Sequence, residues 1–220
     1  MEPVVHSIVF GYGFRARSGK DSAVATILAE RGHLYDIRRY SFASELKSEV
    51  NQAALACGGM EHLFSRPQEY VQENGNFLEL PEWVVYDPDP PMDDPECGLG
   101  KQRLLLQWYG SEFRRAANPA YWVDRVASRI AKEKPEIALL SDVRFPNEML
   151  WAQKYGEVIR IDRPSVKSPN AHVSEEALSS IPDDCWSDII MNTGSLEEFR
   201  KRVLFSFDML ISSHPALRPA

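Results

Sequence analysis

Residues 7–22 read SIVFGYGFRARSGKDS, and the rest of the chain is best interpreted from this stretch. Ser7 to Phe10 form a short apolar run typical of a buried strand, and a glycine-rich turn follows. Beyond the turn, apolar residues recur at helical spacing: Ala23, Val24, Ile27 and Leu28. The stretch therefore predicts a strand, a loop and a helix in that order.

The turn has the composition of a phosphate-binding loop. Its backbone N–H groups and the exposed start of the next helix present partial positive charge, and Lys20 adds a full charge. The consensus GxxxxGK[ST] is not met, because five residues separate Gly13 from Gly19 and Asp21 stands where Ser or Thr is expected. The alternative is an ordinary glycine turn with an exposed lysine. Two arginines beside the turn favour phosphate binding: Arg15 and Arg17.

Strand and helix patterns alternate along the rest of the chain. Residues 34–42 are rich in β-branched and aromatic side chains and predict a second strand, with a helical pattern after it. A capping box of Ser195 and Glu198 marks the start of the last helix. Further strands are predicted at 137–140, 158–161 and 189–191. This alternation predicts an α/β fold with a parallel sheet covered by helices.

Length, charge and composition exclude several classes of protein. A chain of 220 residues and 25.0 kDa suffices for one domain with an inserted lobe. It carries 25 basic and 32 acidic residues, a formal net charge of −7, which argues against broad binding to nucleic acid or anionic membranes. No apolar run or leader pattern indicates a membrane span or export, so we expect a cytoplasmic protein. The cysteines lie far apart, which favours reduced thiols: Cys57, Cys97 and Cys185.

Two further groups of polar residues are candidates for chemistry. Asp142 follows the predicted strand 137–140, which puts a carboxylate at the carboxyl edge of the sheet, and Arg144 and Glu148 come shortly after it. The alternative is a strand-end aspartate paired with its neighbouring arginine. The second group, Arg103, Gln107 and Gly110, has the spacing of one helix face, although an amphipathic core helix with solvated arginines explains the same pattern.

The glycine-rich turn and the two groups just described are sequence blocks that occur in the order found in the deoxynucleoside monophosphate kinases of tailed bacteriophages. The chain resembles this family over residues 5 to 210. Further blocks of the resemblance are SFASELK at 41–47, IDRP at 161–164 running into HVSE at 172–175, and NTGSLEE at 192–198. The resemblance implies one P-loop kinase-type three-layer domain, with a five-stranded parallel sheet flanked by helices. It also implies an acceptor-binding lobe at 58–100 and a lid at about 163–180.

The resemblance further implies transfer of the ATP γ-phosphoryl group to a dNMP, giving dNDP and ADP, with Mg²⁺ as cofactor. The catalytic positions are Lys20, Arg17, Asp142 and Arg163. The ATP positions are Ser18, Gly19, Lys20, Asp21, Ser22, Asn192 and Gly194, with Asp21 and Ser22 also at the metal. The acceptor positions are Lys47, Arg103, Gly110, Trp122, Asp142, Arg144 and Glu148. Whether Arg15 or Arg17 faces the phosphates stays open.

The residue types suit this reaction. The second pKa of a phosphate monoester is ~6, so the acceptor oxygen is largely ionised at neutral pH and needs no general base. His172 is accordingly expected to be structural. Two alternatives stay open: a P-loop kinase for another phosphorylated small molecule, such as phosphomevalonate or dephospho-coenzyme A, and a nucleotide-binding regulator without transferase activity. Base stacking by Trp122 would favour a nucleotide acceptor. The accepted bases, the sugar preference and homodimer formation are left open by the sequence.

Overall fold

A five-stranded parallel sheet lies at the centre of the fold, in the order β2-β3-β1-β4-β5. The structure, a computed structural model, describes residues 4–65, 80–90, 102–166 and 177–214. The strands are β1 (Ile8–Gly13), β2 (Ile37–Tyr40), β3 (Ile137–Val143), β4 (Gly156–Asp162) and β5 (Asp188–Met191). The predicted α/β fold with a parallel sheet flanked by helices is confirmed.

Seven α-helices are found in the described residues. They are α1 (Lys20–Arg31), α2 (Phe42–Ala56), α3 (Met60–Ser65), α4 (Arg103–Gln107), α5 (Tyr121–Glu133), α6 (Pro146–Tyr155) and α7 (Leu196–Ser212). A π-helix, Trp108–Arg115, continues α4, and a 3₁₀ turn spans Asp183–Cys185. The capping box predicted for the last helix is confirmed: Ser195 Oγ accepts from the Glu198 N–H at 3.2 Å.

The central strand β1 is buried on both faces, as expected for an apolar strand in a parallel sheet. Phe10 points to the same face as Ile27 of α1 and Phe207 of α7, in a continuous apolar cluster. Gly11 points to the other face, where an added Cβ would lie 3.4 Å from Cβ of Ala152 in α6. Glycine at this position therefore lets α6 pack closely on the sheet.

The order of the strands makes the carboxyl end of β1 a candidate position for a ligand site. This strand pairs with β3 on one side and with β4 on the other. After β1 the chain forms β2 and β3 on one side, and it then crosses to form β4 and β5 on the other side, so the direction of the connections reverses at β1. In open parallel sheets ligands bind at such a switch point, outside the carboxyl ends of the strands. A ligand is therefore expected to contact the loop after β1 and the ends of its neighbouring strands.

Two local predictions differ from the structure. The second strand is shorter than 34–42, because α2 already begins at Phe42, whose N–H donates to Asp142 Oδ1 at 2.9 Å. The helix expected to carry Arg103, Gln107 and Gly110 is also not α-helical throughout, because its α-helical part ends at Gln107. The helix changes to π geometry at Trp108, and the i to i+5 hydrogen bonds of that geometry alter the angular spacing.

The chain divides into two compact units, one formed by Met1–Phe42 and Val123–Ala220 and the other by Ala43–Trp122. The sheet belongs to the first unit, and the predicted acceptor lobe at 58–100 falls within the second. Parts of that lobe, most of the predicted lid and His172 lie outside the described residues, so those assignments stay predictions. Of the helices that the structure describes, none is long and apolar enough to cross a membrane.

Candidate functional site

The loop between β1 and α1 has an unusual backbone. Phe14, Arg17 and Gly19 all have positive φ, at 103°, 58° and 112°. Residues other than glycine rarely adopt positive φ angles, so contacts with the surrounding structure must hold the loop in this conformation. Gly19 is required twice over, because an added Cβ would also lie 2.6 Å from Asn192 Nδ2.

Contacts from β4 and from either end of β5 hold this loop. Asn192 donates from Nδ2 to the Ser18 carbonyl at 2.7 Å, which ties the end of β5 to the loop. The Arg160 guanidinium lies 4.0 Å from the centroid of the Phe14 ring, and Trp186 meets that ring edge-on at 6.4 Å. No sequence pattern indicates that Phe14, Arg160 and Trp186 meet, since they lie far apart along the chain.

Lys20 is the first residue of α1 and is only 4% exposed. Its Nζ donates to the Phe14 carbonyl at 3.2 Å, to the Arg15 carbonyl and to Ser18 Oγ at 3.5 Å. The ammonium group is thus enclosed by its own loop, and Lys20 also lines the neighbouring cavity. A phosphate that binds there must replace some of these carbonyl acceptors with its own oxygens.

A cavity of about 320 Å³ opens at the carboxyl edge of the sheet, a volume at the lower end for small-molecule sites. Most of its lining consists of residues that the sequence analysis selected: Arg17, Gly19, Lys20, Asp21, Ser22, Asp142, Arg144, Arg163, Asn192 and Gly194. Ser141 and Leu196 complete the lining and were not predicted. Segments far apart in the sequence therefore converge on one cavity of the first unit.

The charge around this cavity is positive. The cationic side chains are Arg17, Lys20, Arg144 and Arg163, against the carboxylates of Asp21 and Asp142. Among the described residues, Arg17 and Arg163 form no ion pair. Such an arrangement suits a polyanion, because fixed cations near one another are stabilised when an anion binds between them.

The carboxylates beside the cavity have local partners. Asp142 Oδ2 accepts from Ser41 Oγ at 2.8 Å, while its Oδ1 caps the first N–H of α2. Glu148 is 1% exposed, and its Oε2 accepts from the backbone N–H groups of Arg144 at 2.7 Å and Phe145 at 3.0 Å. Glu148 thereby fixes the backbone that carries the Arg144 side chain. Contact of either carboxylate with an acceptor stays a prediction.

Four predicted acceptor residues belong to the second unit: Lys47, Arg103, Gly110 and Trp122. Trp122 is 1% exposed, and its indole N–H donates to the Gly110 carbonyl at 2.9 Å. A Cβ added to Gly110 would lie 2.8 Å from Leu46 Cδ2, so glycine permits close packing there. These contacts give Trp122 and Gly110 structural roles, and the acceptor roles of all four residues stay predictions.

The second unit also contains a polar cluster that no sequence pattern indicates. Glu49 accepts hydrogen bonds from Tyr109 at 2.5 Å and from Tyr121 at 2.7 Å, and it pairs with Arg114. Burial and the Glu49 carboxylate raise the pKa of Tyr109. Tyr109 and Arg114 are five residues apart, and the π-helix aligns residues at this spacing.

We expect Glu49→Ala to lower the free energy of unfolding by about 3 kcal/mol, because the substitution leaves the largely buried Arg114 guanidinium without its counter-ion. Urea denaturation with far-UV detection measures this change. Glu61→Ala, at an exposed position of the same unit, is the control and should change stability by less than about 1 kcal/mol. A Glu49→Ala protein as stable as the control would contradict the assigned role of the cluster.

Comparisons with known proteins give two similarities. No protein-family profile matches the chain. A protein of Acanthamoeba polyphaga mimivirus, provisionally named a deoxynucleotide monophosphate kinase, is 35% identical over 71 residues, which span 32% of this chain and 36% of that protein. The dephospho-CoA kinase from Campylobacter jejuni is 14% identical, with a TM-score of 0.45 over 93% of this chain and 97% of the other. The first similarity thus spans about a third of the mimivirus protein.

Proposed function

We propose that this protein transfers the γ-phosphoryl group of ATP to a deoxynucleoside monophosphate. The observation that carries the proposal is the convergence of Arg17, Lys20, Arg144 and Arg163 on one cavity at the carboxyl edge of the sheet. Phosphoryl transfer requires positioning and charge neutralisation more than covalent chemistry by the protein, and these side chains supply both. The local similarity to the mimivirus protein favours a deoxynucleotide as the acceptor.

The roles follow from where the charges lie. Lys20 and Arg17 belong to the loop and bind the phosphates of the donor nucleotide. Arg144 follows β3, lines the same cavity and offers its planar guanidinium to the acceptor phosphate. Arg163 lies just beyond β4 and neutralises charge on the transferred group. The acceptor oxygen is already ionised near neutral pH, so no side chain has to remove a proton.

The side chains at the cavity fit Mg²⁺. Asp21 and Ser22 line it with a carboxylate and a hydroxyl, the hard oxygen donors that Mg²⁺ prefers. Mg²⁺ sites in kinases use one or two protein oxygens and complete the shell with phosphate oxygens and water, so a larger cluster is not needed. The chemistry that Mg²⁺ supplies when bound is neutralisation of charge on the β- and γ-phosphate oxygens.

A coupled assay of ADP release tests the proposal. We expect release that depends on a dNMP and on Mg²⁺, that falls to background when EDTA is added, and that is strongly reduced in Lys20→Met. Parallel reactions with NMPs, dephospho-coenzyme A and phosphomevalonate identify the acceptor class. Release with one of those acceptors but with no dNMP would contradict the proposed substrate. ATP binding without release for any acceptor would indicate a regulator rather than a kinase.

A further inference from the structure

An exposed ion pair lies beside the phosphate-binding loop. Arg39, near the end of β2, donates from Nη2 to Asp21 Oδ1 at 2.5 Å and from Nε to Ser141 Oγ at 3.3 Å. Asp21 and Ser141 both line the cavity. The Arg39 and Asp21 side chains are 46% and 75% exposed, and pairs this exposed contribute little to stability. A contribution to folding therefore does not account for this pair.

Asp21 creates an electrostatic problem for the proposed function. The residue after the lysine of the consensus loop is Ser or Thr, which carries no charge, whereas this chain places a carboxylate there. A carboxylate in the first turn of α1 is favourable for the free helix, because it complements the helix dipole. The same charge repels a bound triphosphate unless a cation neutralises it.

We propose that Arg39 is a positioning residue of the nucleotide site, which neutralises and holds the Asp21 carboxylate so that a nucleotide triphosphate can bind in the absence of a metal ion. This inference rests on the proposed function. Arg39 acts through Asp21, since its guanidinium hydrogen-bonds to that carboxylate. It follows that Arg39 and Mg²⁺ use the same carboxylate, and that Arg39 matters most when Mg²⁺ is absent.

Calorimetric titration with ATP in EDTA tests the proposal by binding rather than by activity. We expect Arg39→Gln to weaken metal-free ATP binding by ~3- to 10-fold, because the unneutralised carboxylate then opposes the phosphates. Saturating Mg²⁺ should reduce the difference to less than about twofold, because it neutralises the same charge. Arg39→Lys retains the positive charge and should restore most of the affinity.

The neighbouring arginine provides a matched control. Arg38 lies on the same strand with 44% of its side chain exposed, and it pairs with Asp36 at 3.0 Å and Glu133 at 3.7 Å. Arg38→Gln removes the same charge from the same strand and should leave metal-free ATP affinity unchanged. An equal loss of metal-free ATP affinity in Arg38→Gln and Arg39→Gln would show that only the net charge of the protein matters, and it would overturn the proposal.

A double-mutant cycle separates action through Asp21 from other roles of Arg39. In an Asp21→Asn background there is no charge to neutralise, so Arg39→Gln should have no further effect on metal-free ATP binding. An undiminished effect in that background would indicate direct phosphate contact or support through Ser141, and would overturn the positioning role. If the unaltered protein bound ATP and Arg39→Gln bound it with the same affinity in EDTA, the inference about Arg39 would fail while the proposed function would stand. If the unaltered protein bound no ATP even with Mg²⁺, the proposed function would fail as well.

Discussion

Lys20→Met is expected to lower the turnover of phosphoryl transfer by about 10²- to 10³-fold, the cost of removing one preorganised charge from a transition state of this kind. Methionine is an unbranched side chain of nearly the same length as the apolar stem of Lys20, which is 4% exposed, and it lacks the ammonium group. The Phe14 carbonyl loses a donor as a result, so the loop is also expected to bind ATP less tightly. Steady-state kinetics with the identified acceptor measures the change in kcat.

Lys201→Met is the control for this experiment. Lys201 is 73% exposed and pairs with Glu197 on the same helix, far along the chain from the loop. Its substitution should leave kcat within about twofold, since isolated surface pairs contribute little. Thermal unfolding of both variants shows whether the fold persists. Near-normal turnover of a folded Lys20→Met protein would refute the role of Lys20.

Arg144→Ala is expected to weaken acceptor binding by about 10- to 100-fold and to leave ATP affinity nearly unchanged. The magnitude follows from the loss of hydrogen bonds between a guanidinium and a phosphate, each of which contributes about 1.5–3 kcal/mol. The selectivity follows from position, because Arg144 lies after β3 while the loop proposed to bind ATP lies after β1. Calorimetry with dNMP and with ATP separates the two affinities.

Arg125→Ala, at an exposed position of α5, is the matched control and should change neither affinity. Glu148 accepts a hydrogen bond from the backbone N–H of Arg144, and this bond does not involve the guanidinium that the substitution removes. The local backbone conformation is therefore expected to persist in Arg144→Ala. Equal losses of affinity for ATP and for dNMP would indicate that Arg144 contributes to binding of both nucleotides, which would contradict a role specific to the acceptor. An unchanged dNMP affinity would remove Arg144 from the acceptor site.

Several parts of the site were predictable because the signals are local. A glycine-rich turn between an apolar strand and a helix predicts anion binding, and the structure has that order in β1, the loop and α1. Asp142 was predictable for the same reason, since the carboxyl ends of parallel strands share one edge. The capping box at Ser195 needs only four consecutive residues.

Other features of the site depend on contacts that no local pattern encodes. The ion pair between Arg39 and Asp21 joins residues on a strand and a helix, and neither has a motif that names the other. The same holds for Phe14 and Arg160, which are 146 positions apart in the sequence numbering and meet only once β1 and β4 pair. The π-helix was missed because its hydrophobic pattern resembles that of an α-helix, while its geometry is stabilised by tertiary contacts such as Glu49 to Arg114.

The sequence by itself determined the class of fold and the position of the loop for which anion binding is proposed, because periodicity, glycine placement and helix caps act over a few residues at a time. Only the tertiary structure decided how the charges are used. It enclosed the Lys20 ammonium in its own loop, tied Asn192 to Ser18, and paired Asp21 with Arg39. The physical reason is that electrostatic interactions depend on distance in space, and the pairing of parallel strands sets those distances.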